Sequence, residues 1–125
     1  MTIRVLIVDD TEHVREMLAQ MLTLDGFEVA GKASGGQEAI ASVSMSTPDI
    51  VIMDYKMPGM DGITATKSIR KIAPTTPVIL YTAYLDDELQ ARATEAGVSA
   101  CIGKVEGLTT LEREISALCL ELVER

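Results

Sequence analysis

Ile50-Val51-Ile52-Met53-Asp54 is a run of four apolar residues closed by one carboxylate. Four apolar side chains in a row leave no polar face for water, so Ile50 to Met53 reads as a strand buried on both faces. Asp54 stands where that strand stops. Tyr55-Lys56-Met57-Pro58-Gly59-Met60-Asp61-Gly62 follows, with Pro and Gly as turn punctuation. A carboxylate at the carboxyl end of a buried strand, opening into a loop, is where an α/β sheet places chemistry.

Upstream, Ile3 to Val8 is a β-rich run ended by Asp9-Asp10. Val14, Met17, Leu18, Met21 and Leu22 then keep the spacing of an amphipathic helix, which Asp25-Gly26 ends. Phe27 to Ala30 reads as a short strand. Ser34-Gly35-Gly36 lacks the rest of a phosphate loop and reads as a turn. Ala39, Ile40 and Val43 mark a weaker helix that stops before Pro48. Downstream, Ile63, Ile69 and Ile72 mark a helix ended by Pro74, and Lys67, Arg70 and Lys71 read as its solvated face. Pro77 to Tyr81 is a strand, with Pro tolerated at its first position. Asp86 to Ala96 is a polar helix capped by Gly97, and Val98 to Ile102 is the last strand. Leu108, Leu111, Ile115, Leu118 and Leu122 form the cleanest apolar stripe, read as core packing.

Alternating strands and helices predict a doubly wound α/β fold, a parallel sheet covered on both faces. With right-handed crossovers the expected strand order is 2-1-3-4-5, the flavodoxin-like arrangement, with five strands and five helices. The pattern fills residues 1–125 as one domain.

Composition narrows the function. A net charge of −8 and a pI near 4.5 argue against direct nucleic-acid binding and against an anionic membrane surface. No apolar run approaches the ~20 residues of a membrane helix. Two cysteines, Cys101 and Cys119, make no disulfide framework and read as inert, small apolar residues in a reducing, cytoplasmic setting. His13 is the single histidine and reads as a surface residue.

The strand ends carry the chemistry. Strand one ends in Asp9-Asp10, strand three in Asp54, strand four in Thr82-Ala83, and strand five leads into Lys104. In the expected order these groups converge on one crevice at the switch point. Packed carboxylates repel unless a cation joins them, and a hard divalent ion such as Mg²⁺ suits an all-oxygen site. Lys104 adds a point charge suited to phosphate, and Thr82 a hydroxyl. A carboxylate nucleophile, a metal, an ammonium and a hydroxyl are the parts of a phosphoryl-transfer site with an aspartyl-phosphate.

At this point the chain resembles the receiver domain of two-component response regulators, over nearly its whole length. The acidic pair of that family matches Asp9 and Asp10, its phosphoacceptor Asp54, its Met-Pro-Gly-x-Asp-Gly loop Met57 to Gly62, its switch hydroxyl Thr82 and its lysine Lys104. The resemblance implies that Asp10, Asp54 and the backbone carbonyl of Lys56 hold Mg²⁺, with Asp9 acting through water. It implies that Asp54 takes a phosphoryl group from a histidine kinase or phosphotransfer protein, with Thr82 and Lys104 binding its oxygens. Such a chain is a switch that catalyses only its own phosphorylation and dephosphorylation.

Two positions depart from the family pattern. Cys101 stands three residues before the lysine, where the family has Tyr or Phe that swings inward. Val105 follows the lysine where the family has Pro with a cis peptide, so a trans bond is the expectation here. Tyr84, two residues past Thr82, is the nearest large side chain to substitute for the missing aromatic. Three other readings stand beside this one. A longer DNA-binding regulator would contain the chain as its receiver half. A haloacid-dehalogenase-like phosphatase wants Asp-x-Asp, yet Thr11 and Glu12 stand two residues after Asp9 and Asp10. A flavodoxin-like cofactor binder would meet repulsion between a phosphate and Asp9-Asp10.

Overall fold

Strands buried on both faces need a layer of helices on each side, and the chain supplies both. The structure is a computed structural model and describes residues 2–124. The elements alternate: β1 Arg4–Val8, α1 Glu12–Leu24, β2 Glu28–Ala33, α2 Gly36–Ser46, β3 Ile50–Met53, α3 Gly62–Ile72, β4 Val78–Thr82, α4 Asp87–Ala96, β5 Ala100–Gly103 and α5 Leu108–Glu124. A short 3₁₀ turn over Lys104–Glu106 joins β5 to α5. The sheet is parallel, in the order β2-β1-β3-β4-β5. This is the doubly wound arrangement expected from the alternation.

Period-two alternation divides each strand between two cores. Leu6, Val8, Val51, Met53, Val78 and Leu80 face α2, α3 and α4, where Val43, Ile63, Ile69 and Leu89 meet them. Val5, Ile7, Ile50, Ile52, Ile79, Tyr81 and Ile102 face α1 and α5, against Leu18, Leu22, Leu111 and Ile115. The α5 stripe is thus core packing, with Leu111, Ile115 and Leu118 buried. His13 is exposed, as the sequence indicates.

Several boundaries move. β2 runs from Glu28 to Ala33 rather than from Phe27 to Ala30. Its register against β1 shifts between Val5 and Leu6, and the strand continues through Gly31 and Lys32 to pair Ala33 with Val8. An edge strand is half solvated, so apolar content alone does not find its end. β5 likewise begins later and reaches Gly103, and β4 runs through Thr82. Ile72 is not on a buried stripe: it is 48% exposed, and Ala65 and Thr66 fill the α3 interface instead.

Arg70 corrects the reading of a solvated α3 face. Lys67 and Lys71 are exposed, but Arg70 is half-buried. Its Nε and Nη2 donate to the carbonyl of Gly97 at 2.9 and 2.7 Å, and its Nη1 donates to the carbonyls of Ala73 and Thr76. Burial holds its pKa below the ordinary arginine value. It ties the end of α3 to the end of α4. Gly97 has φ +99°, and a Cβ there would also run into the Arg70 side chain.

Candidate functional site

Register brings the acidic groups together. Val8 pairs with both Ala33 and Met53, so the next residues, Asp9 and Asp54, leave the sheet side by side. The Asp54 N–H donates to the Val8 carbonyl at 2.9 Å. Carboxylate oxygens of Asp9, Asp10 and Asp54 all lie within 4.8 Å of one another. Asp9 and Asp54 are buried, and Asp10 is exposed.

Each buried acid has defined partners. Asp9 Oδ1 accepts from the Thr11 N–H at 2.9 Å, and Asp9 Oδ2 accepts from Lys104 Nζ at 2.9 Å. Arg15 Nη1 donates to the Asp9 carbonyl at 2.7 Å. Asp54 Oδ1 accepts from the Tyr55 N–H at 2.9 Å and lies 3.7 Å from Lys104 Nζ. Neither Asp9 nor Asp10 caps α1, since the N-cap residue is Thr11.

The electrostatics follow from this crowding. Burial first, and then the charge of Asp9, push the Asp54 carboxyl up to about 6, against the opposing pull of Lys104. Burial alone would lower the pKa of Lys104, but the hydrogen bond it donates to Asp9 and the charges of Asp54 and Asp9 more than reverse it. Tyr81, whose ring centroid lies 5.8 Å from Lys104 Nζ, is pushed up by burial.

A pocket of about 530 Å³ opens above the acids, walled by Asp10, Asp54, Lys56, Ala83, Tyr84 and Lys104 among others. Asp9 and Thr82, both buried, are not part of that wall. Thr82 Oγ1 accepts from the Tyr84 N–H at 3.3 Å. Lys56 is exposed at the pocket rim, the Lys104–Val105 bond is trans, and no cis peptide occurs among the described residues. Cys101 is half-buried and packs beside the α4-side core, with burial pushing its thiol up.

Three contributors escaped the sequence reading. Arg15 on α1 and Thr11 at its N-cap fix Asp9, and no local motif announces them. Glu106 Oε2 accepts from the Gly103 N–H at 2.7 Å, which holds the turn carrying Lys104. The Gly103-to-Glu106 spacing of a capping arrangement was the available signal. Gly62 is forced by space: a Cβ there would collide with the Asp54 backbone.

The sequence matches the family described as "Response regulator receiver domain" over residues 5–116. Transcriptional regulatory protein PdtaR of Mycobacterium tuberculosis is 41% identical over 110 residues, covering 86% of this chain and 52% of that protein. The chain therefore spans about half the length of that relative. Chemotaxis protein CheY of Thermotoga maritima is 44% identical over 101 residues, covering 81% of this chain and 84% of that protein. Among solved structures, a chain of the CheX-CheY-BeF3-Mg²⁺ complex from Borrelia burgdorferi superposes with a TM-score of 0.85 at 31% identity, covering 92% of this chain and 88% of that one.

Proposed function

The chain belongs to the response regulator receiver domain family, and on that footing we propose that Asp54 is the phosphoryl acceptor of a two-component phosphorelay. Receiver domains are signalling switches rather than classical enzymes, and they interact with histidine kinases or phosphotransfer proteins. The observation that carries the reading is the meeting of Asp9, Asp10 and Asp54 within 4.8 Å, beside an ammonium 2.9 Å from Asp9 and 3.7 Å from Asp54.

Receiver domains bind Mg²⁺ at an acidic pocket, and the Borrelia complex holds Mg²⁺ with beryllofluoride. The donor set here fits such an ion: all oxygen, excess negative charge, and one carboxyl pushed to about 6 by burial and its neighbours. Asp10, Asp54 and the backbone carbonyl of Lys56 would hold it, with Asp9 acting through water. Bound there, the ion supplies positive charge against which a phosphoryl group is transferred. A carboxylate oxygen of Asp54 forms the new O–P bond as the P–N bond of a kinase phosphohistidine breaks, and the departing imidazole takes a proton. Lys104 and Thr82 receive the phosphoryl oxygens. Thr82 keeps its hydroxyl proton for that purpose, since it only accepts from Tyr84. On this reading the chain catalyses only its own phosphorylation and dephosphorylation, as a regulator acting in the cytoplasm.

A second reading rests on the 52% coverage of PdtaR: the chain is the receiver half of a longer transcriptional regulator, whose nucleic-acid contacts lie outside these residues. The reading frame on either side decides it. The phosphatase alternative is set aside, because the family match runs over residues 5–116 and the required Asp-x-Asp is missing.

The test is intact-mass analysis after incubation with a small phosphodonor. A single phosphoryl adduct is expected with Mg²⁺ and none with EDTA or in Asp54→Asn. A stable adduct on the Asn variant, or one indifferent to EDTA, would overturn the assignment.

A further inference from the structure

The residues that follow Asp54 are stacked across the pocket onto the segment that follows β4. Lys56 Nζ lies 5.3 Å from the centroid of the Tyr84 ring. Both residues wall the acidic pocket. Both also wall a neighbouring cavity of about 330 Å³, together with Tyr55, Met57 and Asp61. Lys56 and Tyr84, with Met57, are thus the residues that the two cavities share. Tyr84 is 63% exposed, so its ring has room to move, and its N–H is fixed to Thr82 Oγ1. A second pair runs parallel: Arg92 Nη1 on α4 donates to the Tyr55 hydroxyl at 3.2 Å, with the guanidinium 5.9 Å from the ring centroid.

We propose that the Lys56–Tyr84 stack is a charge-operated latch: a phosphoryl group on Asp54 draws the Lys56 ammonium off the ring, and the released Tyr84 is the moving aromatic of this switch. The inference rests on Asp54 being the phosphoryl acceptor. Its physical basis is a comparison of two attractions. A cation over a solvent-exposed ring is held weakly by the ring quadrupole. A phosphoryl group adds negative charge to the pocket that Lys56 also walls, and at comparable distance the attraction of an ion outweighs that of a ring quadrupole. Before that charge arrives, Lys104 is already engaged with Asp9 at 2.9 Å and partly offsets Asp54 at 3.7 Å. A conformational change needs a contact that differs between its two states, and the lysine supplies one. Cys101 supplies little, being a small, half-buried thiol packed against the core. The Tyr55–Arg92 pair carries a hydrogen bond besides its stack and lies outside the acidic pocket's wall, so it stays in place.

The chain has three tyrosines, Tyr55, Tyr81 and Tyr84. Uniform 3-fluorotyrosine labelling therefore gives three fluorine resonances, each assigned by a Tyr→Phe variant. The probe is beryllofluoride with Mg²⁺, taken to saturation in every variant. Tyr81, 5.8 Å from Lys104 Nζ, reports filling of the pocket. In the unaltered protein the Tyr84 resonance should move at least twice as far as that of Tyr55. In Lys56→Gln, Tyr84 should start near its released position and lose at least two-thirds of its response while Tyr81 still responds. Lys56→Arg, which can still stack on a ring, should restore the response. A Tyr84 response that persists undiminished in Lys56→Gln, or a silent Tyr84 beside a responding Tyr81, overturns the latch. All three resonances silent in the unaltered protein would mean that the pocket does not bind the mimic, and the phosphoryl-acceptor reading itself falls.

Discussion

Gly62 opens α3 directly against the carbonyl group of Asp54, and no Cβ fits between them. The Gly62 N–H also donates to the Tyr55 carbonyl at 2.7 Å, closing the loop that follows the acceptor. The neighbour is backbone, so it cannot swing aside as a side chain would. Gly62→Ala is expected to cost about 2–3 kcal/mol and to misplace Asp54. Gly59 makes the contrast: its φ is +81° but a Cβ there meets nothing within 4 Å. Gly59→Ala should cost only the left-handed backbone penalty, about 1 kcal/mol. Denaturant melts of the two variants check the ranking; equal costs would refute the packing argument.

The acidic cluster should impose a pH slope on the metal-free protein. Asp54 titrates at about 6 in the fold, against an ordinary 3.8. Between these values the folded state binds more protons than the unfolded chain, so stability falls as pH rises. The contribution of Asp54 is fully present below the ordinary value and lost as pH passes about 6. Asp54→Asn should flatten this slope and stabilise the metal-free protein at neutral pH by on the order of 2 kcal/mol, less than full linkage because the carboxyl keeps some solvent contact. Urea melts between acid and neutral pH measure it. A slope unchanged in the variant would remove Asp54 as its source.

Mg²⁺ should act in the opposite direction on the same cluster. Saturation to ten times Kd raises folding stability by about 1.4 kcal/mol, or roughly 5 °C in Tm. Asp10 is the exposed member of the cluster, so its replacement leaves the buried partners of Asp9 and Asp54 intact. Asp10→Asn should melt no lower than the parent without metal and lose most of the Mg²⁺ increment. Thermal scans with and without EDTA decide this; an unchanged increment would exclude Asp10 as a ligand.

Arg70 should matter far more than its neighbours Lys67 and Lys71. Its truncation leaves the carbonyls of Gly97, Ala73 and Thr76 without their charged donor. Arg70→Ala is expected to cost about 2–3 kcal/mol. Lys at this position should recover less than half, because one ammonium does not span three carbonyls as a planar fork does. Lys67→Ala and Lys71→Ala should be near neutral, within about 0.5 kcal/mol. Chemical denaturation of the four variants makes the comparison.

The sequence by itself determined the alternation of strands and helices, the doubly wound order, and the carboxylates that follow β1 and β3. Those features are local: apolar runs such as Ile50 to Met53, the Asp that follows β1 and β3, and Gly or Pro at several of the breaks. They fix topology because short crossovers leave one hand and few orders. What the tertiary structure decided lies between residues far apart in the chain. Lys104 meets Asp9 across 95 positions and donates to it at 2.9 Å, standing farther from Asp54 at 3.7 Å; the order of strand ends gives their proximity but not that preference. Arg70 has the same spacing as the solvated lysines around it, and only the approach of Gly97 turns it inward. β2 extends to Ala33 through Gly31 and Lys32 because β1 is there to pair with. The partnership of Lys56 with Tyr84 has the same origin. Periodicity reports which face of an element is buried, while ion pairs and stacks depend on angles and distances that arise only when two elements pack.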